Sequence, residues 1–257
     1  MKKNPRHVSR TLPVLMAVLT ATCLSAAGVA SAAGPQIVIR SVQPGGRAAP
    51  DTSRYGLTRD DLRAIVATVP TLTHAVPVRT STREIRFGEQ TAGVTLVGTT
   101  ADYQTLHRLR VFRGRFLTEQ DDEESRNVAV VGSTLVDRLF PEQSPIGEII
   151  QVDRQVFRIV GEVVVDETAA AGKGSTGLQV FIPLNAMQRR LGDREVIRKS
   201  GSFEVRHLEL SRIELTVRTR DDIPETAAII QRLLDRRHDD SDFSIDRRTI
   251  APERSPR

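Results

Sequence analysis

Tryptophan is absent from the 257 residues, and the aromatic complement is eight Phe and two Tyr. So sparse a set excludes base-stacking platforms and aromatic cages as the basis of recognition. Cysteine occurs once, as Cys23, inside an uncharged leader. A chain cleaved behind that leader has no thiol for a disulfide, a nucleophile or a Cys-based zinc site. Lipid attachment at Cys23 is not expected either, because Thr22 stands where a small residue has to precede it. Positive charge is not concentrated in the body of the chain. The formal charge of +5 would suit a nucleic-acid binder, but Lys2, Lys3, Arg6 and Arg10 lie in the first ten residues without one acid. The later bases are nearly all Arg and are interleaved with acids, so no basic stripe is left to bind phosphates and no nucleic-acid partner is expected.

Motifs for catalysis are equally scarce. His74, His107, His207 and His238 are far apart and form neither H-E-x-x-H nor H-x-x-x-H. Ser133 follows Gly132, but G-x-S-x-G is not present. Gly172-Lys173-Gly174-Ser175 lacks the first glycine of a P-loop, and the 167–177 stretch reads as a loop suited to contacting a partner. Asp121-Asp122-Glu123-Glu124 has no alternating acids and no glycine, which a calcium loop needs, and reads as a solvated acidic turn. The expectation is a chain with no catalytic residues, no metal and no cofactor.

What is present begins with a leader. Met1–Arg10 is basic, Thr11–Ala33 carries no charge, and Leu12–Leu19 is its apolar heart. Ala30-Ser31-Ala32 fits a small-x-small cleavage site, so residues 1–32 read as a signal peptide cut before Ala33. The alternative is an uncleaved anchor, since about 20 apolar residues can span a bilayer. Both place the remainder outside the cytoplasm, in a periplasmic setting, because the bases precede the apolar run.

Beyond the leader, Gln36–Arg40 reads as a strand and 43–54 as a loop. Thr58 and Asp61 have capping-box spacing at the head of a helix with Leu62, Ile65, Val66 and Val69 on one face. His74–Thr80 and Val94–Gly98 read as strands and Ala101–Leu109 as a short helix. Near the C-terminus, Ile213, Leu215 and Val217 alternate with polar residues as a half-buried strand. A helix opened by Asp221-Asp222-Ile223-Pro224 follows, with Ile229/Leu233 and Ile230/Leu234 as its buried stripe, and Phe243–Ile245 closes as a strand. These are two strand–helix–strand units, one from each chain end, sharing a sheet. Between them come a strand over Asn127–Val131 and a helix capped by Ser133 or Thr134. A hairpin around Asp153-Arg154 follows, and then an edge strand Val180–Pro183 ended by its proline.

The stretch Leu109–Val164 carries an ordered set of short pieces. They are Gly114-Arg115-Phe116, Asp121-Asp122, Val128–Gly132, Leu139-Phe140, Pro145-Ile146-Gly147 and Ile159-Val160-Gly161, with Phe181-Ile182-Pro183-Leu184 downstream. In this order and spacing they resemble the periplasmic core domain of MacB-type ABC transporter permeases, over roughly residues 36–248. The resemblance implies an α+β fold of two subdomains, a βαβ-rich one from both chain ends and a β-rich one inserted at about 111–207, with a polar tail over 249–257. It gives Gly114, Arg115, Phe116, Asp121, Gly132, Phe140, Pro145, Ile146, Gly147, Gly161 and Pro183 structural roles. The glycines 114, 132, 147 and 161 are turn or bulge positions needing positive φ or close backbone approach. No apolar run follows Ile245, so the expected protein lacks the FtsX-like transmembrane bundle. It is a non-catalytic extracytoplasmic part of a MacB-type assembly, acting by contact with a permease/ATPase complex or another envelope protein, and it meets the membrane only through its anchor or a partner. The alternative is a free-standing periplasmic or secreted binding module that has lost its transporter.

Overall fold

Alternating and continuous runs of Val, Ile and Leu dominate the sequence between residues 36 and 248, and they build a sheet-rich α+β structure. The computed structural model describes residues 34–43, 55–164, 178–199, 202–238 and 242–248. The leader 1–32, most of the 43–54 loop, the 167–177 stretch and the tail 249–257 lie outside the described residues. In chain order the elements begin with β1 (Gln36–Ser41), α1 (Arg59–Thr68), β2 (Leu72–Phe87), β3 (Gln90–Thr99), α2 (Asp102–Leu106) and β4 (Arg110–Gly114). Next come α3 (Glu119–Glu123), β5 (Val128–Gly132), α4 (Ser133–Leu139), β6 (Ile149–Val152), β7 (Gln155–Val164) and β8 (Gln179–Pro183). The last are α5 (Leu184–Leu191), β9 (Arg194–Lys199), β10 (Ser202–His207), β11 (Arg212–Val217), α6 (Asp222–Asp235) and β12 (Phe243–Arg248).

The two terminal strand–helix–strand units interleave in one sheet, in the order β12-β1-β11-β2 with every pair antiparallel. On one face Ile37, Ile39, Ile213, Leu215 and Val217 meet Ile65 and Val69 of the α1 region and Ile230 and Leu234 of α6. Thr58 and Asp61 do form a capping box. Val66 departs from the expected stripe and is 54% exposed, because α1 turns only its Ile65–Val69 side to this core. The expected half-burial of β11 is also corrected. Glu214 and Thr216, on its other face, are buried too, because the α2 region covers that side and places His107 against Glu214.

Strand β2 runs sixteen residues and joins this sheet to a second array. Its first part pairs with β11, its second part pairs with β3, and Ile85 and Arg86 pair with β6. From there the ladders β3–β8, β8–β5, β5–β7 and β7–β6 return to β2, closing a ring of six strands. A closed ring has no free edge of its own. Inward-facing residues of all six strands, with Leu135, Leu139 and Phe140 from the α4 region and Met187 from α5, make a separate apolar cluster. That cluster takes in Ile85, Ala92, Val94 and Leu96, which precede the expected insert boundary at 111. Strand β4 adds to the outside of the ring on β7, and β9 and β10 form a hairpin apart from it.

Strand β8 is an interior strand, correcting the expected edge assignment. It lies between β3 and β5, and all five of its residues are buried. Pro183 is tolerated because it is the last strand residue, opposite Thr99, and immediately precedes α5, so no following ladder bond is lost. The β6–β7 hairpin turns at Asp153-Arg154 as expected, with Asp153 at φ 54°, a conformation Asp tolerates better than most residues.

Candidate functional site

Three of the short sequence pieces converge where β4 meets β7. Gly114, at φ +70°, lies opposite Gly161 in the ladder. A Cβ on Gly114 would fall 2.2 Å from the Val160 carbonyl oxygen, and one on Gly161 would fall 1.9 Å from that of Arg115. The two backbones therefore pass too closely for any side chain at either position. Arg115 N donates to Val160 O at 3.0 Å, and in the Pro145-Ile146-Gly147 turn Gly147 N donates to Ile159 O at 2.8 Å. The Ile146 side chain rests over the crossing, 3.1 Å from where a Gly114 Cβ would be. Gly132 does not share the expected positive φ. It has φ −73° and is itself the N-cap of α4, while Ser133 Oγ donates to Val163 O, so the cap expected from Ser133 or Thr134 is not made.

The acidic turn is a helix, and its key residue is not solvated. Asp121 is fully buried and ends a second capping box, with Thr118 as N-cap of α3. Arg115 grips its carboxylate with both terminal nitrogens, at 2.6 and 3.1 Å, and Arg126 approaches at 3.6 Å. Burial works against the charge of Asp121, but the hydrogen bonds from Arg115 and Thr118 outweigh it and hold the carboxyl below its ordinary range. Asp122 faces the opposite situation. Burial pushes its carboxyl up, although Asn185 N donates to it at 2.8 Å and ties α3 to α5. Phe116 packs near Phe181, with ring centroids 5.7 Å apart, and Phe140 lies 4.2 Å from Phe87 in the ring's own cluster.

The histidines are dispersed among ion pairs. His107 Nε2 lies 2.6 Å from Glu214 Oε2, with its ring stacked on Tyr103 at 4.0 Å and Arg212 on the other Glu214 oxygen. Burial opposes ionisation of Glu214, yet His107 and Arg212 bring its pKa down to about 2, while burial pushes the Tyr103 hydroxyl up to about 12. His74 lies 3.7 Å from Asp102, His207 accepts from Arg194, and His238 stands between Asp61 and Asp242. Among the described residues no group of three or more His, Cys, Asp or Glu is arranged to hold a metal ion. These groups are engaged in holding elements together. The second capping box repeated the Thr-x-x-Asp spacing of Thr58–Asp61 and could have been read from sequence. The His107–Glu214 pair, 107 residues apart, left no local signal.

Among the described residues no helix is long and apolar enough to cross a membrane. The profile of the MacB-like periplasmic core domain matches residues 14–233. The "Macrolide export ATP-binding/permease protein MacB" of Bdellovibrio bacteriovorus is 26% identical over 204 residues, which cover 79% of this chain and 29% of the relative. The protein of the same description from Marinobacter nauticus is 29% identical over 79% of this chain and 30% of its own length. The chain thus spans less than a third of these relatives. Among solved structures, the periplasmic region of MacB from Actinobacillus actinomycetemcomitans superposes with a TM-score of 0.61 at 20% identity, covering 82% of this chain and 88% of that one. The extracellular domain of the noncanonic ABC-type transporter YknZ from Gram-positive bacteria gives 0.62 at 18% identity, covering 82% of this chain and 99% of that one. With the profile matched over most of its length and the fold shared, the chain belongs to the MacB-like periplasmic core domain family.

Proposed function

We propose that the chain is a non-catalytic extracytoplasmic module of a MacB-type ABC export assembly, acting by protein–protein contact with the permease and ATPase components or with another envelope protein. The family match across residues 14–233 carries this reading. The engagement of Asp121, Glu214 and Asp61 in ion pairs and caps supports it, because these groups stabilise shape rather than stand ready to react. ATP hydrolysis is assigned to the partners. Residues 1–32 act as the export signal. The domain has two subdomains, one built from the chain ends and one around the strand ring, and their separate apolar clusters support that division. The motif residues Gly114, Arg115, Asp121, Pro145, Ile146, Gly147 and Gly161 serve the packing of the second.

The test is affinity capture of the tagged full chain from mildly solubilised membranes, with the N-terminus of the recovered protein sequenced. The expected result is co-purification with a permease and its ATPase, and an N-terminus at Ala33. Recovery from the soluble fraction without partners would overturn the assembly in favour of a free-standing binding module. An intact Met1 in the membrane fraction would replace the cleaved signal by an anchor.

A further inference from the structure

We propose that the cleft between β4 and the end of α4 is a docking socket for an arginine side chain of a partner protein. The proposal rests on the reading above, in which the chain acts by protein–protein contact, and names the surface and the chemistry of that contact. The cleft has a volume of about 640 Å³, and its lining includes Phe112 and Arg113 of β4, Asp137, Phe140 and Glu142 of the α4 region, and Glu162 of β7. The pairing of β4 with β7 slips between Val111 and Arg113, which leaves Phe112 as the extra residue of a bulge. Bulges re-aim side chains, and Phe112 is 58% exposed.

Glu162 carries the argument. It is 3% exposed, and its Oε2 atom is buried without a hydrogen-bond partner. Among the described residues the one cation within ion-pair range is Arg113, whose Nε stops at 3.9 Å. That distance is too long for a hydrogen bond. A buried carboxylate short of donors is costly, and a guanidinium entering from outside would supply the missing N–H groups in a fork that suits a carboxylate.

The rest of the lining selects the same occupant. Asp137 and Glu142 are exposed, and among the described residues neither forms an ion pair. Three carboxylates therefore line the cleft against one arginine, and the site attracts a cation. Among the described residues no group of acids is arranged to hold a metal ion, so that cation is organic. The Phe112 ring favours a guanidinium over an ammonium, because a flat guanidinium stacks on the ring while its edge donates hydrogen bonds. Arg113 already lies over that ring, 5.1 Å from its centroid. Its side chain is half-exposed, so it can yield the place to an incoming arginine. Phe140 gives the methylene stem an apolar wall.

The experiment titrates the full chain with Nα-acetyl-arginine methylamide and with its neutral isostere, Nα-acetyl-citrulline methylamide. NMR follows the ring signals of Phe112 and the amide signal of Glu162. The arginine probe should shift both saturably and bind at least about tenfold more tightly than the citrulline probe, the scale expected for a charge-assisted hydrogen bond. Glu162→Gln keeps the side-chain shape and Phe112→Ser changes an exposed residue, so both should fold, and each should weaken the response. In the membrane capture described above, Glu162→Gln should lower recovery of the permease by a similar factor. An equal response to citrulline or to the blocked lysine, or binding that survives both substitutions, overturns the socket. Undiminished recovery of the permease with Glu162→Gln also overturns it, while the assembly stands. A selective arginine response with no assembly recovered keeps the socket and overturns the assembly.

Discussion

Among the described residues Glu214 carries the largest depression of an acid, and its consequence has a definite sign. A carboxyl brought from 4.5 to about 2 by its folded partners stabilises the protein above pH 4.5. That stability, roughly 3 kcal/mol for such a shift, drains away as pH falls from about 4.5 to about 2. Urea titrations of Glu214→Gln should show a flatter acid limb than the wild type; superimposable limbs would mean the pair is energetically idle. At the opposite extreme of side-chain size, Gly161→Ala has no room at all. Its methyl would press on the Arg115 carbonyl, and displacing backbone is the expensive kind of overpacking, about 1–3 kcal/mol or more. A lowered urea midpoint with unchanged slope is expected. The need for glycine at 114, 147 and 161 could be read from the sequence, since turn chemistry is local. The contacts of Glu214 with His107 and of His238 with Asp61 could not, because each joins residues more than a hundred positions apart.

Element by element, the strands and helices declare themselves where apolar periodicity is uninterrupted, as in α6 and the β6–β7 hairpin. They hide where polar residues do structural work. The second half of β2, Arg79–Phe87, carries three arginines, so only Ile85 and Phe87 hinted that the strand continued. Strand β8 reads Gln-Val-Phe-Ile-Pro; its proline suggested an edge, whereas the continuous apolar run was the better guide to a strand buried on both faces. The Leu139-Phe140 piece of the family motif lies in the core of the strand ring. Phe140 is 3% exposed at the end of α4, against Phe87 of β2. Phe140→Ala should cost about 3–5 kcal/mol, measured as a fall in the chemical-denaturation midpoint. An unchanged midpoint would show that α4 can close over the gap.

For the molecule as a whole, the family could be recognised from the order of the short motifs, while the ring of six strands could not be deduced from it. Ring closure depends on β6 reaching back to two residues of β2, a contact no pairwise periodicity encodes. The ring also explains why the motif glycines sit where they do. Gly114 and Gly161 let β4 lie against β7 outside the barrel wall, and the 145–147 turn leads into β6.

The position of β1 imposes an order of events on biosynthesis. Among the described residues this strand is flanked by β11 and β12 and by no strand that precedes them in the chain. A chain emerging N-terminus first, from the ribosome or from a translocation pore, can assemble the barrel while its leading strand still waits. Only once residues 212–248 have emerged can β1 find its neighbours, and such long-separated pairing is slow. Until then Ile37 and Ile39 lack the two strands that flank them in the fold.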